Sequence, residues 1–180
     1  DRIEENEYQR GIHATQTQIS RGMVEFYRGV RDTALGKGWE EAVPPDAPRR
    51  VFLSRAKGGR RGFENLDELE DLMRRHGYDV VTFETLPVVE QIRTIAQADV
   101  IVGLFGAGMT NLVFARSGTR VVELYNHDFN PQLAIPYYQI SQAGGLSYTP
   151  VSRLTRKEDG ELIPFADLRK IHEILGRVGR

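Results

Sequence analysis

The sequence predicts an α/β fold in which helices cover both faces of a parallel sheet. Short apolar segments alternate with amphipathic segments of helical period along most of the chain. The apolar segments are almost continuously hydrophobic, which is typical of strands buried on both faces. Because crossovers between parallel strands are right-handed, we expect a doubly wound, Rossmann-like layer. The 180 residues, 40% of them hydrophobic, suffice for one core of this kind.

Residues 1–48 are predicted to form a lead-in helix and a linker, with the α/β domain over residues 49–180. Apolar residues recur at helical spacing from Ile19 to Ala34. Three prolines follow this run before the domain begins and indicate the linker. The chain begins at Asp1 and not at methionine, so we expect a fragment of a longer protein.

The main domain begins with four predicted strands, each a short apolar run rich in β-branched residues. They are Val51–Leu53, Val80–Phe83, Val100–Val102 and Val121–Leu124. Five helices are predicted between and after them: Leu66–Met73 behind a capping pair of Asn65 and Glu68, then Pro87–Ala96, Thr110–Arg116, Pro131–Ala143 and Phe165–Val178. An edge strand is predicted at Leu146–Tyr148.

Sheets of this type bind ligands outside the carboxyl ends of their strands. The loops there are Ser54–Gly62, Gly103–Gly108 and Tyr125–Asn130. Glycines in the second loop let a ligand approach the backbone, and the first amides of the next helix lack partners. With the helix dipole they favour an anion, ideally a diphosphate, although a tight strand-to-helix turn would need glycine too. The candidate donor-binding residues in this segment are Gly103, Gly106, Ala107, Gly108, Thr110 and Asn111.

Two further features favour a nucleotide ligand over a plain turn. Glu123 ends the next strand, where a carboxylate can accept both hydroxyls of a ribose, as acidic residues do in nucleotide-binding α/β folds. The loop after Ser54 carries four cations and flexible glycines, and we expect Arg55 and Arg61 to bind phosphate. Each feature alone also fits a solvated strand end or a solvated charged face.

Several motifs, in order along the chain, resemble the core of glycosyltransferase family 61. They are Phe52–Arg55, Arg61, Asn65–Leu69, Glu90–Gln91, Val102–Gly103, Gly106–Asn111 and Val122–Leu124, all within residues 49–151. The family includes bacterial capsular-polysaccharide enzymes, plant xylosyltransferases and animal N-acetylglucosamine transferases. The resemblance implies a two-domain GT-B architecture, with this chain as the C-terminal, donor-binding half, and an inverting reaction that uses a nucleotide-sugar.

The resemblance also implies partners and site residues. The donor is a nucleotide-sugar, and a glycan or other hydroxyl acceptor is held by an N-terminal domain that this chain lacks. Ser54 and Asn65 join the donor-binding residues. One departure concerns Phe105, where the family usually places histidine before Gly106–Gly108. Because phenylalanine cannot donate a hydrogen bond to phosphate, the donor differs, arginines compensate, or this copy has lost activity.

The catalytic base is expected in the other half of the protein. His127 and Asp128, just after the fourth strand, are the in-chain candidates, whereas His76 is predicted at a helix end and His13 and His172 at the surface. No Asp-x-Asp pair and no cluster of His, Asp and Glu with metal-ligand spacing occurs in the sequence. We therefore expect no protein-held metal and no cofactor.

Composition argues against several classes of function. A formal net charge of −1 provides no field that would attract nucleic acid or an acidic membrane. The absence of cysteine excludes thiolate metal sites and a thiol nucleophile, and it suits a reducing, cytoplasmic compartment. No apolar run approaches the length of a membrane span, so at most a peripheral membrane association is expected.

Two other functions stay open. An NAD(P) oxidoreductase fits the strand, glycine loop, helix and acidic strand end, although the glycines are spaced Gly-x-x-Gly-x-Gly. A non-catalytic nucleotide- or glycan-binding module fits Phe105 and the missing partner domain. Hydride transfer with a nicotinamide cofactor would identify the first, and a full-length protein without sugar turnover would identify the second.

Overall fold

The computed structural model describes residues 19–40, 49–55, 63–125 and 131–178. Its α-helices are α1 (Arg21–Leu35), α2 (Leu66–Arg75), α3 (Val88–Gln97), α4 (Pro131–Gly144) and α5 (Leu168–Val178). Its strands are β1 (Arg50–Ser54), β2 (Tyr78–Thr82), β3 (Val100–Leu104), β4 (Arg120–Leu124), β5 (Ser147–Val151), β6 (Thr155–Glu158) and β7 (Glu161–Pro164). Two 3₁₀ helices follow β2 and β3, at Phe83–Thr85 and Ala107–Phe114.

The predicted parallel sheet is confirmed. Five strands pair in the order β2-β1-β3-β4-β5, and every pairing is parallel. The chain leaves β1 toward β2 at one edge and then returns to β3 on the other side of β1. Connections after β1 and β3 therefore depart in opposite directions and leave a crevice at the carboxyl ends of these two strands.

Helices cover both faces of the sheet, as a doubly wound fold requires. Alternate strand residues supply two separate cores, because successive side chains of a strand point to opposite faces. Val51 and Leu53 of β1 pack in the core that contains residues of α3, α4 and the longer 3₁₀ helix. Phe52 lies in the second core, which α2 and α5 complete.

Helix α1 is fastened to the first helical layer by two arginines. Ser20 caps its N-terminus through a hydrogen bond from the Met23 amide. Arg28 donates to the carbonyls of Ala115 and Gly144 at 3.0 and 2.6 Å, and the buried Arg31 donates to the carbonyl of Phe114 at 3.1 Å. These carbonyls lie at the ends of the longer 3₁₀ helix and of α4, where backbone acceptors lack helical partners.

One local prediction was wrong, and a second differs from the structure in its bounds. Asn65 precedes α2 without capping it, because its side chain forms two hydrogen bonds to the backbone of Ala166 instead. The short helix predicted over Thr110–Arg116 is present as a 3₁₀ helix over Ala107–Phe114. This helix starts earlier because the amide of Met109 already bonds to the carbonyl of Gly106 at 2.9 Å.

The antiparallel hairpin of β6 and β7 was not predicted. Its strands are mostly polar and carry no alternating hydrophobic pattern that would indicate a half-buried strand. Its turn did contain a signal, since Asp159 and Gly160 both have positive φ angles, 49° and 89°. An Asp-Gly pair between two strands is typical of a type I′ hairpin turn.

Candidate functional site

A cavity of about 460 Å³ lies at the crevice between β1 and β3. Residues that follow β1, β2 and β3 line it, so it opens at the carboxyl edge of the sheet. The predicted donor-binding residues that line it are Ser54, Arg55, Ala107, Gly108 and Asn111. Its volume is in the range of small-molecule sites.

Arg55 lies directly over Gly106 at this edge. A Cβ atom at position 106 would overlap the guanidinium, with the Cζ atom of Arg55 only 2.5 Å away. Glycine is favoured here because other residues rarely adopt its φ of 157° and because the missing Cβ leaves room for the arginine. Within the described part of the chain, Arg55 has no hydrogen bond or ion pair. Its N–H donors thus remain available to a ligand.

Gly103 has a packing role in the first core. A Cβ atom there would collide with the sulfur of Met109, whose side chain is fully buried. The glycine lets the longer 3₁₀ helix sit close to β3, which brings Ala107 and Gly108 to the cavity. Thr110 is exposed and is not among the residues that line the cavity.

Ser54 lines the cavity, but its hydroxyl is already engaged. It donates to Glu70 of α2 at 2.6 Å, and the other carboxylate oxygen of Glu70 accepts from Arg74 at 2.9 Å. A hydroxyl has a single proton, so Ser54 can offer a ligand only an acceptor while this bond persists.

The short 3₁₀ helix after β2 also forms part of the cavity wall. Gln91 of α3 donates from its amide nitrogen to the carbonyls of Phe83 and Leu86, at 3.0 and 2.9 Å, and thereby fixes this helix. The amide nitrogen of Asn111 donates to the carbonyl of Gly108 at 3.1 Å and approaches the side-chain oxygen of Gln91 at 3.5 Å. These bonds join the β2 and β3 sides of the cavity.

Glu84, on the same short helix, is a cavity residue that the sequence reasoning missed. Its side chain is exposed, and it has no hydrogen bond or ion pair among the described residues. A signal was present, because Glu84 stands two residues after β2 and the carboxyl-end rule applies to that strand too. The predicted ligand-binding loops follow β1, β3 and β4 only.

Glu123 does not line the cavity. Its side chain has no exposed surface and lies in the first core, two strands away from β1. One carboxylate oxygen accepts hydrogen bonds from the hydroxyls of Tyr125, at 2.7 Å, and Tyr148, while the other oxygen has no partner in the described structure. Burial raises the pKa of Glu123 to about 7, although the two tyrosine hydrogen bonds act in the opposite direction.

Phe105, the departure from the family pattern, is also a core residue. Its ring stacks on Tyr125 with the centroids 5.3 Å apart and meets Tyr137 edge to face at 6.2 Å. Both contacts are on the sheet face that α4 covers. The side chain therefore offers the cavity no hydrogen-bond donor.

The remaining predicted residues lie elsewhere. Asn65 has both amide atoms bonded to Ala166 and does not line the cavity. Arg61, His127 and Asp128 are outside the described residues. In the ranges that are described, no three His, Asp or Glu side chains come together as a metal-binding group, and no helix is both long and apolar enough to cross a membrane.

Comparison with known proteins gives one family. A sequence profile described as Glycosyltransferase 61 matches residues 9–122, a span that includes every cavity residue named above. The EGF domain-specific O-linked N-acetylglucosamine transferase of Drosophila melanogaster is 34% identical over 86 residues, which is 46% of this chain and 16% of the relative.

Two rice proteins are similar over a longer stretch. The alpha-1,3-arabinosyltransferase XAT2 of Oryza sativa subsp. japonica is 29% identical over 121 residues, 63% of this chain and 20% of the relative. The beta-1,2-xylosyltransferase XAX1 of the same organism is 29% identical over 117 residues, 62% and 20% of the two lengths. The chain thus spans about a fifth or less of the length of these relatives.

Proposed function

This chain belongs to glycosyltransferase family 61, and from that premise we propose that it binds the nucleotide-sugar donor of a glycosyl-transfer reaction. The complete protein would transfer the sugar to a hydroxyl acceptor, with inversion, in the cleft of a GT-B architecture. The names of the three relatives mention N-acetylglucosamine, arabinose and xylose, which supports sugar transfer in general. Because these sugars differ, the family alone does not select the donor.

The observation that carries the proposal is the Arg55 guanidinium over Gly106, which has no hydrogen bond or ion pair in the part of the chain that the structure describes. It lies at the strand ends where α/β sheets of this order bind nucleotides, beside a cavity large enough for part of a donor. A guanidinium forms short, charge-assisted hydrogen bonds with phosphate oxygens. A nucleoside diphosphate is therefore the ligand chemistry that best suits this edge.

The chemistry follows from that placement. The acceptor oxygen forms a bond to the anomeric carbon while the bond from that carbon to the diphosphate oxygen breaks. The electron pair leaves with the nucleoside diphosphate, and the acceptor proton passes to a base in another part of the protein. Arg55 would stabilise the negative charge that develops on the leaving group, an effect that is strong when the donors are fixed in advance.

Calorimetric titration of the 180-residue chain with a panel of nucleoside diphosphates tests the proposal. We expect Arg55→Ala to weaken binding by roughly 10- to 150-fold, or 1.5–3 kcal/mol, the range for hydrogen bonds to charged groups. Arg116→Ala is the control, because Arg116 is paired with Asp99 at the amino edge of the sheet, at 2.7 Å. We also propose that no protein-held metal takes part, so that EDTA leaves the affinities unchanged. The proposal fails if no nucleoside diphosphate binds, or if both variants bind like the wild type.

A second candidate function is a nucleotide-binding module without transfer activity. Phe105 favours it, because this ring is enclosed by Tyr125 and Tyr137 and supplies no donor at the glycine turn. Arg55 supports ligand binding under either proposal. Sugar transfer from a nucleotide-sugar pool by the full-length protein would decide for the transferase, and binding without turnover would decide for the module.

A further inference from the structure

We propose that Glu84 accepts the sugar hydroxyls of the bound ligand, an inference that rests on the donor-binding function proposed above. Glu84 is an exposed carboxylate that lines the same cavity as Arg55. Each of these two side chains lacks a hydrogen bond or ion pair among the described residues. Among the described residues, the cavity thus presents a guanidinium and a carboxylate that are both free to meet a ligand.

The charges determine which part of the ligand each residue meets. A carboxylate beside a diphosphate would be repelled, because like charges a few ångströms apart destabilise each other more strongly near a protein surface than in water. The diphosphate therefore lies toward Arg55 and Gly106, and Glu84 faces a part of the ligand that carries hydroxyl groups. A carboxylate has two oxygens that only accept hydrogen bonds, which matches a pair of neighbouring hydroxyls.

Glu84 belongs to the short 3₁₀ helix after β2, which neighbouring residues fix in place. The neighbouring Phe83 is buried, and its carbonyl accepts a hydrogen bond from Gln91 at 3.0 Å. The hydroxyl of Thr85 donates to the carbonyl of Thr82 at 2.9 Å. Binding groups are most effective when their backbone is fixed before the ligand arrives. This support distinguishes Glu84 from a glutamate on an unattached surface loop.

The other candidate for hydroxyl recognition is Glu123, and the structure gives it different surroundings. Glu123 has no exposed surface, and two tyrosine hydroxyls already occupy one of its oxygens. A ribose could reach it only if Tyr148 and the core around Tyr125 moved. Glu84 needs no such rearrangement, so hydroxyl recognition falls to Glu84.

The ligand offers two sources of neighbouring hydroxyls, the ribose and the transferred sugar, and three probes separate them. We would titrate the chain with the nucleoside diphosphate that binds best, with its 2′-deoxy analogue and with the corresponding nucleotide-sugar. Glu84→Gln and Glu84→Ala are the test variants. Glu173→Gln is the matched control, an exposed glutamate of α5 on the opposite face of the sheet that pairs with Arg169 at 3.6 Å.

We expect both Glu84 variants to bind at least one hydroxyl-bearing ligand about tenfold more weakly than the wild type, and the control to bind normally. If Glu84 holds the ribose, the loss appears with the nucleoside diphosphate and disappears with the deoxy analogue. If it holds the transferred sugar, the nucleoside diphosphate is unaffected and only the nucleotide-sugar weakens. Unchanged thermal unfolding would show that the variants are folded.

Two results would overturn the inference while leaving the proposed function standing. In the first, all three ligands bind the Glu84 variants as they bind the wild type, while Arg55→Ala remains defective. In the second, the nucleoside diphosphate binds the Glu84 variants more tightly, which would place the carboxylate beside the phosphates. If the wild-type chain binds no ligand of the panel, the proposed function fails, and this inference fails with it.

Discussion

Between β1 and β3, Arg55 and Glu84 border a cavity, and neither side chain has a hydrogen bond or ion pair among the described residues. On β4, by contrast, the carboxylate of Glu123 is enclosed and bonded to two tyrosines. Both groups stand at the carboxyl edge of one parallel sheet. The connections explain the difference. After β1 and β3 the chain departs in opposite directions and leaves a crevice, whereas α4 packs over the sheet face that carries Glu123. A residue at the carboxyl end of a strand is therefore not necessarily a binding residue. Its side chain must also border a part of the sheet edge that no other element covers.

The largest expected effect concerns the enclosed Glu123 and the pH dependence of the free energy of unfolding. The pKa of Glu123 is raised from 4.5 to about 7, so the folded protein holds a proton there that the unfolded chain releases between these values. The contribution of Glu123 to the free energy of unfolding should therefore be complete below pH 4.5. It should fall by about 3 kcal/mol as the pH rises from there through 7. Glu123→Gln, which cannot ionise, should not show this fall.

Urea unfolding between pH 5 and 8 measures the effect. The free energy of unfolding of the wild type, minus that of Glu123→Gln, should decrease by most of this amount across the range. All other ionisable groups are common to both proteins and cancel in the difference. Parallel curves would mean that Glu123 ionises normally, and that the β4 side of the edge is as open to water as the cavity.

The fold was predictable from the sequence where the local hydrophobic pattern reflects which residues are buried. Continuous apolar runs such as Val100–Val102 identified buried parallel strands, and the helical stripe from Ile19 to Ala34 identified α1. The hairpin of β6 and β7 was missed because its polar strands bury too little to leave a hydrophobic pattern. The capping role of Asn65 was wrong because its partner Ala166 is 101 residues away in the sequence, beyond any local rule.

The candidate site was predictable in part for the same reason. Arg55 and Gly106 each follow a buried strand, so the carboxyl-end rule found them, and the structure places them in contact. In the sequence, Gly103 could not be distinguished from a glycine that contacts a ligand. The structure shows that a Cβ atom there would collide with the buried sulfur of Met109. Glu123 looked exposed because the sequence does not show that α4 and two tyrosines cover it.

Gly106→Ala tests whether nucleoside diphosphate binding at the cavity depends on Arg55 lying over a glycine. The added Cβ would overlap the guanidinium, so Arg55 must move away from its present place. We expect nucleoside diphosphate binding to weaken as much as in Arg55→Ala, roughly 1.5–3 kcal/mol. The double variant should lose no more than either single variant, because the two changes remove the same interaction.

Gly29→Ala is the control for this experiment, since a Cβ there meets nothing within 4 Å on the exposed face of α1. It should bind ligand normally and should be slightly more stable, because alanine favours a helix interior over glycine by up to about 1 kcal/mol. Additive losses in the Gly106 and Arg55 double variant would indicate that the glycine turn, through its own contacts or its φ of 157°, contributes to binding independently of the arginine.

The smallest expected effect concerns Ser54, which lines the open cavity but resembles Glu123 in having its polar group engaged. Its only proton goes to Glu70 at 2.6 Å, and phosphate oxygens accept but do not donate, so Ser54 cannot serve a diphosphate without giving up that bond. Ser54→Ala should lower the free energy of unfolding by about 1 kcal/mol and leave nucleoside diphosphate affinity within about threefold of the wild type. Glu70→Ala combined with Ser54→Ala should destabilise less than the sum of the two single changes, because each single change already removes the same hydrogen bond. A tenfold loss of affinity in Ser54→Ala with unchanged stability would contradict this prediction. The Ser54 hydroxyl would then bind the ligand in place of Glu70, and the ligand-binding surface would extend to the last residue of β1.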